Sequence, residues 1–370
     1  MRAAVTVRFG EPGKAFEIRE VPEPEPGKGE ILVRVKAASV NPVDVKRRSG
    51  KYGGKAGVIQ GYDFSGIVEK VGKKADKFKA GDEVYSSGAN PDGKGGSYAE
   101  FVSVEERLVS NKPRNLSFEE AASIPLVGIT AWEALFDKLG LTFTSNTNTG
   151  NSTLPTSDVS IRSETPWFTA VKPAGFPVRG GGRGEDILIH GGAGGVGSIA
   201  IQLAKWKGAS VYTTVSSPEK EKLAKKLGAD FAINYRKTDF VEYSRKLNGR
   251  EGFSNIFDTV GGEVFSRSLK ALKPYGKIVS IIGYFDPKLD LGEAMMRNIS
   301  IHFTMMLLPV REQIACAMEH QGRILEQIKG LVEQGKVRAN VAKVFRMEEI
   351  GKAHEMAEDG GFSGKIVIRI

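Results

Sequence analysis

The sequence predicts an α/β protein of two domains, one a β-rich module and the other a doubly wound parallel sheet. Three observations carry this reading. The first 110 residues are strand-like and broken by Pro and Gly clusters, whereas from about residue 183 short apolar strands alternate with helical periodicity. The chain then closes on a strand-like run that could return to the first module. A length of 370 residues gives about two domains.

The elements follow in order. Residues 2–8, 30–37 and 64–71 alternate or run β-branched between turn signals, which reads as an all-β module. Residues 142–182 are rich in Thr, Ser, Asn, Gly and Pro without periodicity, and a loop of that length inside a domain is expected to be a flexible insertion. The pattern Asn151-Ser152-Thr153 within it is a chance match to a glycosylation acceptor. Strands are then expected at 186–190, 210–215, 231–234, 255–260 and 277–283, with helices at 198–207, 219–227 and 265–272. A long helical segment at 310–334, a strand at 342–345, a helix at 347–357 and a last strand at 365–370 complete the chain.

Composition removes several function classes. With 40% hydrophobic and 26% charged residues the chain can bury a sizeable core, so it is neither disordered nor fibrous. The 53 Lys and Arg against 44 Asp and Glu leave +9, dispersed among acids. That charge fits solubility or a phosphorylated cofactor, while nucleic-acid binding would call for a basic surface with stacking aromatics and is not expected. No apolar run reaches membrane-spanning length, and the opening residues enter a strand pattern with no charged-then-apolar leader. The expected location is cytoplasmic. The single Cys316 excludes a disulfide framework and a Cys-rich zinc knuckle, and within a helical run it is expected to be a small buried hydrophobe.

The most informative stretch is 187–198, Ile-Leu-Ile-His-Gly-Gly-Ala-Gly-Gly-Val-Gly-Ser. Gly192, Gly194 and Gly197 form G-x-G-x-x-G between an expected strand and an expected helix, the context of a dinucleotide pyrophosphate site. Absent side chains at these positions, with Gly195 and Val196 between them, let an anion reach the helix N-terminus and its N–H groups. At the end of the next strand an NAD site usually places an acid for the ribose 2'-hydroxyl. Here the residues are Thr213-Thr214-Val215-Ser216-Ser217-Pro218-Glu219-Lys220. Hydroxyls at Ser216 and Ser217 and the cation of Lys220 suit a 2'-phosphate, so NADPH is favoured over NADH. The same residues also read as a helix N-cap with Pro in the first turn.

With these residues in place, the chain resembles the medium-chain dehydrogenase/reductase superfamily, in its zinc-free quinone oxidoreductase and alkenal/enone reductase branch. The matching stretches are 39–44 (Ser-Val-Asn-Pro-Val-Asp), 61–68 (Gly-Tyr-Asp-Phe-Ser-Gly-Ile-Val), 81–85 (Gly-Asp-Glu-Val-Tyr), 96–101 (Gly-Ser-Tyr-Ala-Glu-Phe), the glycine loop, and 362–367 (Phe-Ser-Gly-Lys-Ile-Val). The resemblance covers nearly the whole chain except the 142–182 segment. It implies a GroES-like β-barrel catalytic domain, residues 1–127 and 304–370, around a Rossmann cofactor domain, residues 128–303, with the cofactor in the cleft between them. It also implies roles: Thr130 at the cleft, Lys220 and Tyr235 on the 2'-phosphate and adenosine ribose, Gly261, Gly262 and Gly283 near the ribose and nicotinamide, Lys365 from the terminal Gly-Lys on the cofactor, and Asn41 at the nicotinamide or a substrate polar group. Family members are often homodimers that pair Rossmann edge strands, and residues 298–303 are the expected strand.

Zinc is not expected. Where alcohol dehydrogenases of the superfamily carry a Cys and a His-Glu pair, this chain has Asn41 and Tyr62-Asp63. His190, His302, His320 and His354 are scattered, and His190, beside the glycine loop, reads as structural. Without a metal, hydride transfer to an enone needs donors for the developing enolate oxygen, and Asn41, Tyr52, a backbone N–H or a cofactor hydroxyl could supply them. Tyr52 occupies a position similar to the catalytic Tyr of mitochondrial enoyl thioester reductases, although a Tyr in a Gly- and Lys-rich turn is often only an exposed loop aromatic. Asp44 and Asp63 read as structural rather than as an acid/base pair. The expected function is NADPH-dependent reduction of quinones or α,β-unsaturated aldehydes and ketones. The alternatives are an enoyl thioester reductase, or a crystallin-like or RNA-binding protein that keeps NADPH without turnover.

Overall fold

The computed structural model describes residues 1–53, 55–90, 92, 95–142, 185–246 and 252–370. Most of the expected insertion, with Asn151, Ser152 and Thr153, lies outside the described residues.

The first part of the chain holds strands β1 (Arg2–Thr6), β2 (Phe16–Glu20), β3 (Glu30–Val40), β4 (Val58–Ile59), β5 (Asp63–Val71), β6 (Glu83–Ser86), β7 (Phe101–Glu105) and β8 (Val109–Asn111). Within residues 1–110 it is not all β, contrary to the sequence reading: helices α1 (Pro12–Ala15) and α2 (Pro42–Arg48) interrupt it, and α3 (Phe118–Ala122) and α4 (Pro125–Trp132) follow. The missed signals are local. Pro42 and Pro125 open α2 and α4 at positions where a missing N–H costs nothing, and Ser117 with Glu120 forms a capping box on α3. Helix α4 runs across the expected domain boundary at 127/128.

The second part contains β9 (Asp186–Ile189), α5 (Gly195–Trp206), β10 (Ser210–Val215), α6 (Pro218–Lys226), β11 (Phe231–Asn234), α7 (Phe240–Lys246), β12 (Phe253–Asp258), α8 (Gly262–Ala271), β13 (Leu272–Ser280), α9 (Gly292–Met296) and β14 (Ser300–Phe303). The chain ends with α10 (Leu308–Arg311), α11 (Ala315–Glu333), β15 (Val341–Arg346), α12 (Ile350–Asp359) and β16 (Lys365–Arg369). The long helix expected at 310–334 is broken, because Gln313 takes a positive φ of 53° between α10 and α11. Cys316 is exposed rather than buried. It sits in the first turn of α11, two residues before Met318 and so well off the buried stripe that continues through Leu325 and Ile328.

Strands β11-β10-β9-β12-β13-β14 form one parallel sheet in that spatial order. Counted from β9, this is the 3-2-1-4-5-6 order of a dinucleotide-binding sheet, and its switch point lies where β10 and β12 flank β9. The core strands are buried on both faces, with Ile187, Leu188, Ile189, Ile256, Phe257 and Ile278 excluded from solvent.

A seven-stranded sheet runs β15-β16-β3-β5-β6-β8, with β7 also on β3, and a small sheet β2-β1-β4 lies apart from it. The last strand therefore joins the first part of the chain: β16 pairs antiparallel with β3, Ile366 opposite Val40. Strand β3 also pairs with β5, Ser39 opposite Asp63. These two registers bring Asn41, Asp63 and Lys365 to one end of the sheet. The glycine loop meets that end directly, since Gly364 N donates to Ala193 O at 2.9 Å. Gly364 has φ +92°, and a Cβ there would lie 2.3 Å from the Asn340 carbonyl oxygen.

Candidate active site

Strand β9 ends at Ile189, the loop turns through Gly191–Gly194, and α5 begins at Gly195. Close packing explains Gly197: a Cβ there would come within 2.3 Å of the Gly191 carbonyl oxygen. His190 is structural. Its buried ring contacts Thr214 Oγ1 (3.2 Å) and Ser268 Oγ (2.9 Å), and burial pushes its pKa down to about 4, so the imidazole is neutral at pH 7. The first turn of α5 presents Gly194, Gly195 and Val196 to a cleft of about 420 Å³.

The parallel register places Asn234 beside Val215, and Tyr235 N donates to Val215 O at 3.1 Å. Ser216, Ser217, Lys220 and Tyr235 therefore gather at the carboxyl end of β10. Ser217 caps α6, its Oγ accepting from Lys220 N at 3.3 Å, so the helix-cap reading holds there. Tyr235 is exposed and Lys220 half-buried. On the other side of the switch point, Gly261 N donates to the Asp258 carboxylate and opens α8. Gly262 N donates to Tyr284 O, and Gly283 lies exposed in the loop after β13. Thr130 is buried within α4, where its hydroxyl donates to Leu126 O at 2.7 Å.

The cleft's other wall comes from α2 and the chain end. Asn41, Lys46, Ser49 and Lys51 line it together with Glu358, Phe362 and Lys365. Sequence reasoning missed Lys46, Ser49, Lys51 and Glu358, and the available signal was the helical run that Pro42 starts, which carries Val45, Lys46 and Ser49 along one flank. Glu358 is held by the buried Arg48 guanidinium at 2.5 Å. Tyr52 is not among the lining residues: it is 57% exposed, and its hydroxyl accepts from Lys46 Nζ at 3.1 Å. Asn41 and Tyr52, the two expected catalytic residues, thus stand on opposite ends of α2 and its following turn.

At the sheet end, Asp63 is fully buried and multiply bonded. Its carboxylate accepts from Ser39 Oγ (2.8 Å), Asn41 Nδ2 (2.9 Å) and Leu126 N (2.8 Å). The Lys365 ammonium donates to Val40 O (2.9 Å) and to Asn41 Oδ1, and lies 3.6 Å from Asp63 Oδ2. Burial pushes the Lys365 pKa down, while Asp63 and Asp44 hold it up. Asp44, also buried, accepts from Asn41 N at 2.8 Å, and burial pushes its carboxyl up to about 7.

A parallel sheet in dinucleotide-binding order, a glycine loop at its switch point and a β-rich second domain closing a cleft over that loop define a nucleotide-dependent two-domain oxidoreductase scaffold. Comparison with known proteins agrees. The family described as "Alcohol dehydrogenase GroES-like domain" matches residues 27–114, and that described as "Zinc-binding dehydrogenase" matches residues 227–368. A zinc-type alcohol dehydrogenase-like protein of Staphylococcus epidermidis is 32% identical over 365 residues, covering 97% of this chain and 96% of its own. A 2-methylene-furan-3-one reductase of Solanum lycopersicum is 32% identical over 356 residues, 93% of this chain and 73% of its own. Among solved structures, Escherichia coli quinone oxidoreductase complexed with NADPH superposes with a TM-score of 0.79 at 25% identity, covering all of both chains. The chain belongs to the medium-chain dehydrogenase/reductase superfamily, whose members include quinone and enone reductases.

The zinc that these family descriptions imply does not fit the residues present. Catalytic zinc needs three protein ligands from Cys, His or carboxylate. The corresponding positions offer the Asn41 amide, bonded at both ends, and the Tyr62 phenol, which burial pushes up to about 12. Asp63 is the remaining carboxylate, and the Lys365 ammonium already stands beside it. Among the described residues no three His, Cys, Asp or Glu side chains converge on one point. Nor is any described helix long and apolar enough to cross a membrane.

Proposed function

We propose that the protein is a zinc-independent, NADPH-dependent oxidoreductase acting on quinones or α,β-unsaturated aldehydes and ketones. The observation that carries the cofactor choice is the carboxyl end of β10, where Ser216, Ser217 and Lys220 stand in place of an acid beside Tyr235. A dianionic 2'-phosphate gains from a cation and hydroxyl donors there, and would be repelled by the carboxylate that suits NAD. The pyrophosphate fits over Gly194–Gly197 at the N-terminus of the twelve-residue α5. When bound, the cofactor supplies a hydride. The chain's own residues then have to orient the acceptor, exclude water and stabilise negative charge on its oxygen, and the cleft wall of Asn41, Val45, Leu126, Val127 and Phe362 is shaped for a partly apolar substrate.

The domain division at 127/128 and 303/304 belongs to this reading, as does a homodimer. Strand β14 is an edge strand of the parallel sheet, with Phe303 52% exposed and Met305 54% exposed just beyond it, and pairing with a second copy would cover both. Sedimentation at working concentration tests the dimer, and a monomer would overturn it. The activity is tested by following NADPH consumption with 9,10-phenanthrenequinone, an alkenal, an enone and a crotonyl thioester. Turnover with the quinone, alkenal or enone supports the proposal, selective turnover of the thioester supports the enoyl thioester reductase, and tight NADPH binding without turnover favours a binding protein.

A further inference from the structure

The cluster where β3, β5 and β16 meet assigns Lys365 differently from the resemblance, which places it on the cofactor. A lysine ammonium has three N–H donors and no acceptor. Here two are given to Val40 O at 2.9 Å and to Asn41 Oδ1, and the charge is paired with Asp63 Oδ2 at 3.6 Å. The side chain is 7% exposed in its ion pair with Asp63. Its stem lies over the start of α5, where a Cβ on Gly195 would come 2.9 Å from Lys365 Cδ. The ammonium is thus committed to the Asn41 side of the cleft rather than free to meet a pyrophosphate.

The consequence falls on Asn41. Its Oδ1 accepts from the ammonium, and one Nδ2 hydrogen goes to Asp63 at 2.9 Å. Turning the amide over would set its NH2 group against the ammonium and its oxygen against the carboxylate, two repulsions in a buried site. The orientation is therefore fixed by charge. An amide nitrogen has two hydrogens, so a second Nδ2–H remains beyond the bond to Asp63; Asn41 is 1% exposed where it borders the cleft, and the Asp44 carboxylate, which the Asn41 side chain also stabilises, competes for that hydrogen. The ammonium on Oδ1 also draws electron density from the amide and strengthens that donor.

We propose that Lys365, paired with Asp63, is a positioning residue that fixes and polarises the Asn41 amide, so that the second Nδ2–H of Asn41 donates to the carbonyl oxygen of the substrate as negative charge develops there. The proposal rests on the reading of the cleft as a hydride-transfer site. In that reaction the hydride of a reduced nicotinamide forms the new C–H bond at the β-carbon. The C=C electron pair shifts to leave an enolate, the charge resides on the carbonyl oxygen, and the α-carbon then takes a proton from solvent. Asn41 acts while the oxygen is charged. Lys365 and Asp63 together supply a fixed, charge-balanced support in the place where a metal-dependent relative would use a cation.

The test compares Asn41→Ala, Lys365→Met with Asp63→Asn as a double variant, and the triple combination. Each is measured for kcat with an enone and for NADPH Kd by fluorescence titration in the absence of substrate. Removing one oxyanion donor typically lowers kcat about 100- to 1,000-fold. Asn41→Ala is expected at the lower end of that range, and the double variant at about 10- to 100-fold with NADPH Kd within about twofold of wild type. The triple variant should lose no more than Asn41→Ala alone, since all three residues act through one hydrogen bond. A Kd raised tenfold or more with kcat retained would return Lys365 to the cofactor and overturn the proposal, as would losses that multiply. Should the double variant not fold, Lys365→Gln decides: it can still donate to Val40 O and Asn41 Oδ1 but carries no charge. A lowered kcat with NADPH Kd unchanged supports the proposal, and a raised Kd with kcat retained refutes it. Wild-type protein that binds NADPH yet reduces no carbonyl substrate would instead overturn the underlying reading, and this proposal with it.

Discussion

Replacing Asp44 with asparagine probes the electrostatics beneath the cleft. Asp44 is fully buried, with Oδ2 accepting from Asn41 N and Oδ1 without a hydrogen-bond partner among the described residues. Burial is the largest influence on its carboxyl and raises it. The bond from Asn41 N lowers it, the neighbouring Asp63 raises it and Lys365 lowers it, leaving it pushed up to about 7 from an ordinary 3.8. Between those two values the folded chain holds a proton that the unfolded chain has released. Stability therefore falls as pH rises from about 4 to about 7 and is level above. About three pH units at about 1.4 kcal/mol each amount to about 4 kcal/mol, an order-of-magnitude ceiling for what ionised Asp44 costs at pH 8. Asparagine keeps the acceptor for Asn41 N, cannot ionise, and sets its amide beside the buried Tyr98 hydroxyl. His190 and His354, pushed down by burial to about 4 and about 3, tilt stability the opposite way at acid pH in both proteins, so they cancel in the difference. Urea unfolding should show Asp44→Asn more stable than wild type by up to about 4 kcal/mol at pH 8 and by only about 1 to 2 kcal/mol at pH 5. Equal destabilisation of the variant at both pH values would refute the reasoning.

Lys220→Ala should weaken NADPH binding about 10- to 100-fold, the worth of a charge-assisted hydrogen bond, while leaving NADH binding unchanged in the same titration. Gly197→Val places a side chain where even a Cβ would meet the Gly191 carbonyl at 2.3 Å, so calorimetry should find NADPH binding lost and a lowered Tm. Alkylation of the exposed Cys316 should go to completion in the folded protein, as mass spectrometry would show, with activity retained.

Much of this structure was legible from local pattern. The parallel strands carried their signal as short apolar runs, and the glycine loop marked the turn from strand to helix, although α5 begins at Gly195 rather than at the expected residue 198. The closing strand 365–370 could be read as a return to the first module because its β-branched run is as strand-like as the early strands. What stayed hidden depends on neighbours in space. Cys316 looked buried because a continuous helix was assumed, and the left-handed turn at Gln313 changed which face of α11 meets the core. The helices inside the first part were short and announced only by proline and capping residues. Lys51 and Glu358 gave no sequence sign of lining the cleft. Asn41 and Lys365 were each noticed by resemblance, but their bond across 324 residues follows from the β3–β16 register, which no linear pattern encodes.

The central claim, hydride transfer from NADPH without a metal, is tested most directly by enone reduction after exhaustive dialysis against a zinc chelator, with NADPH and NADH compared at equal concentration. The account predicts undiminished turnover with NADPH, at least tenfold slower turnover with NADH on the order expected for one lost charged contact, and no stimulation on adding zinc. Loss of activity on chelation with recovery on zinc addition, or equal use of the two cofactors, would contradict it.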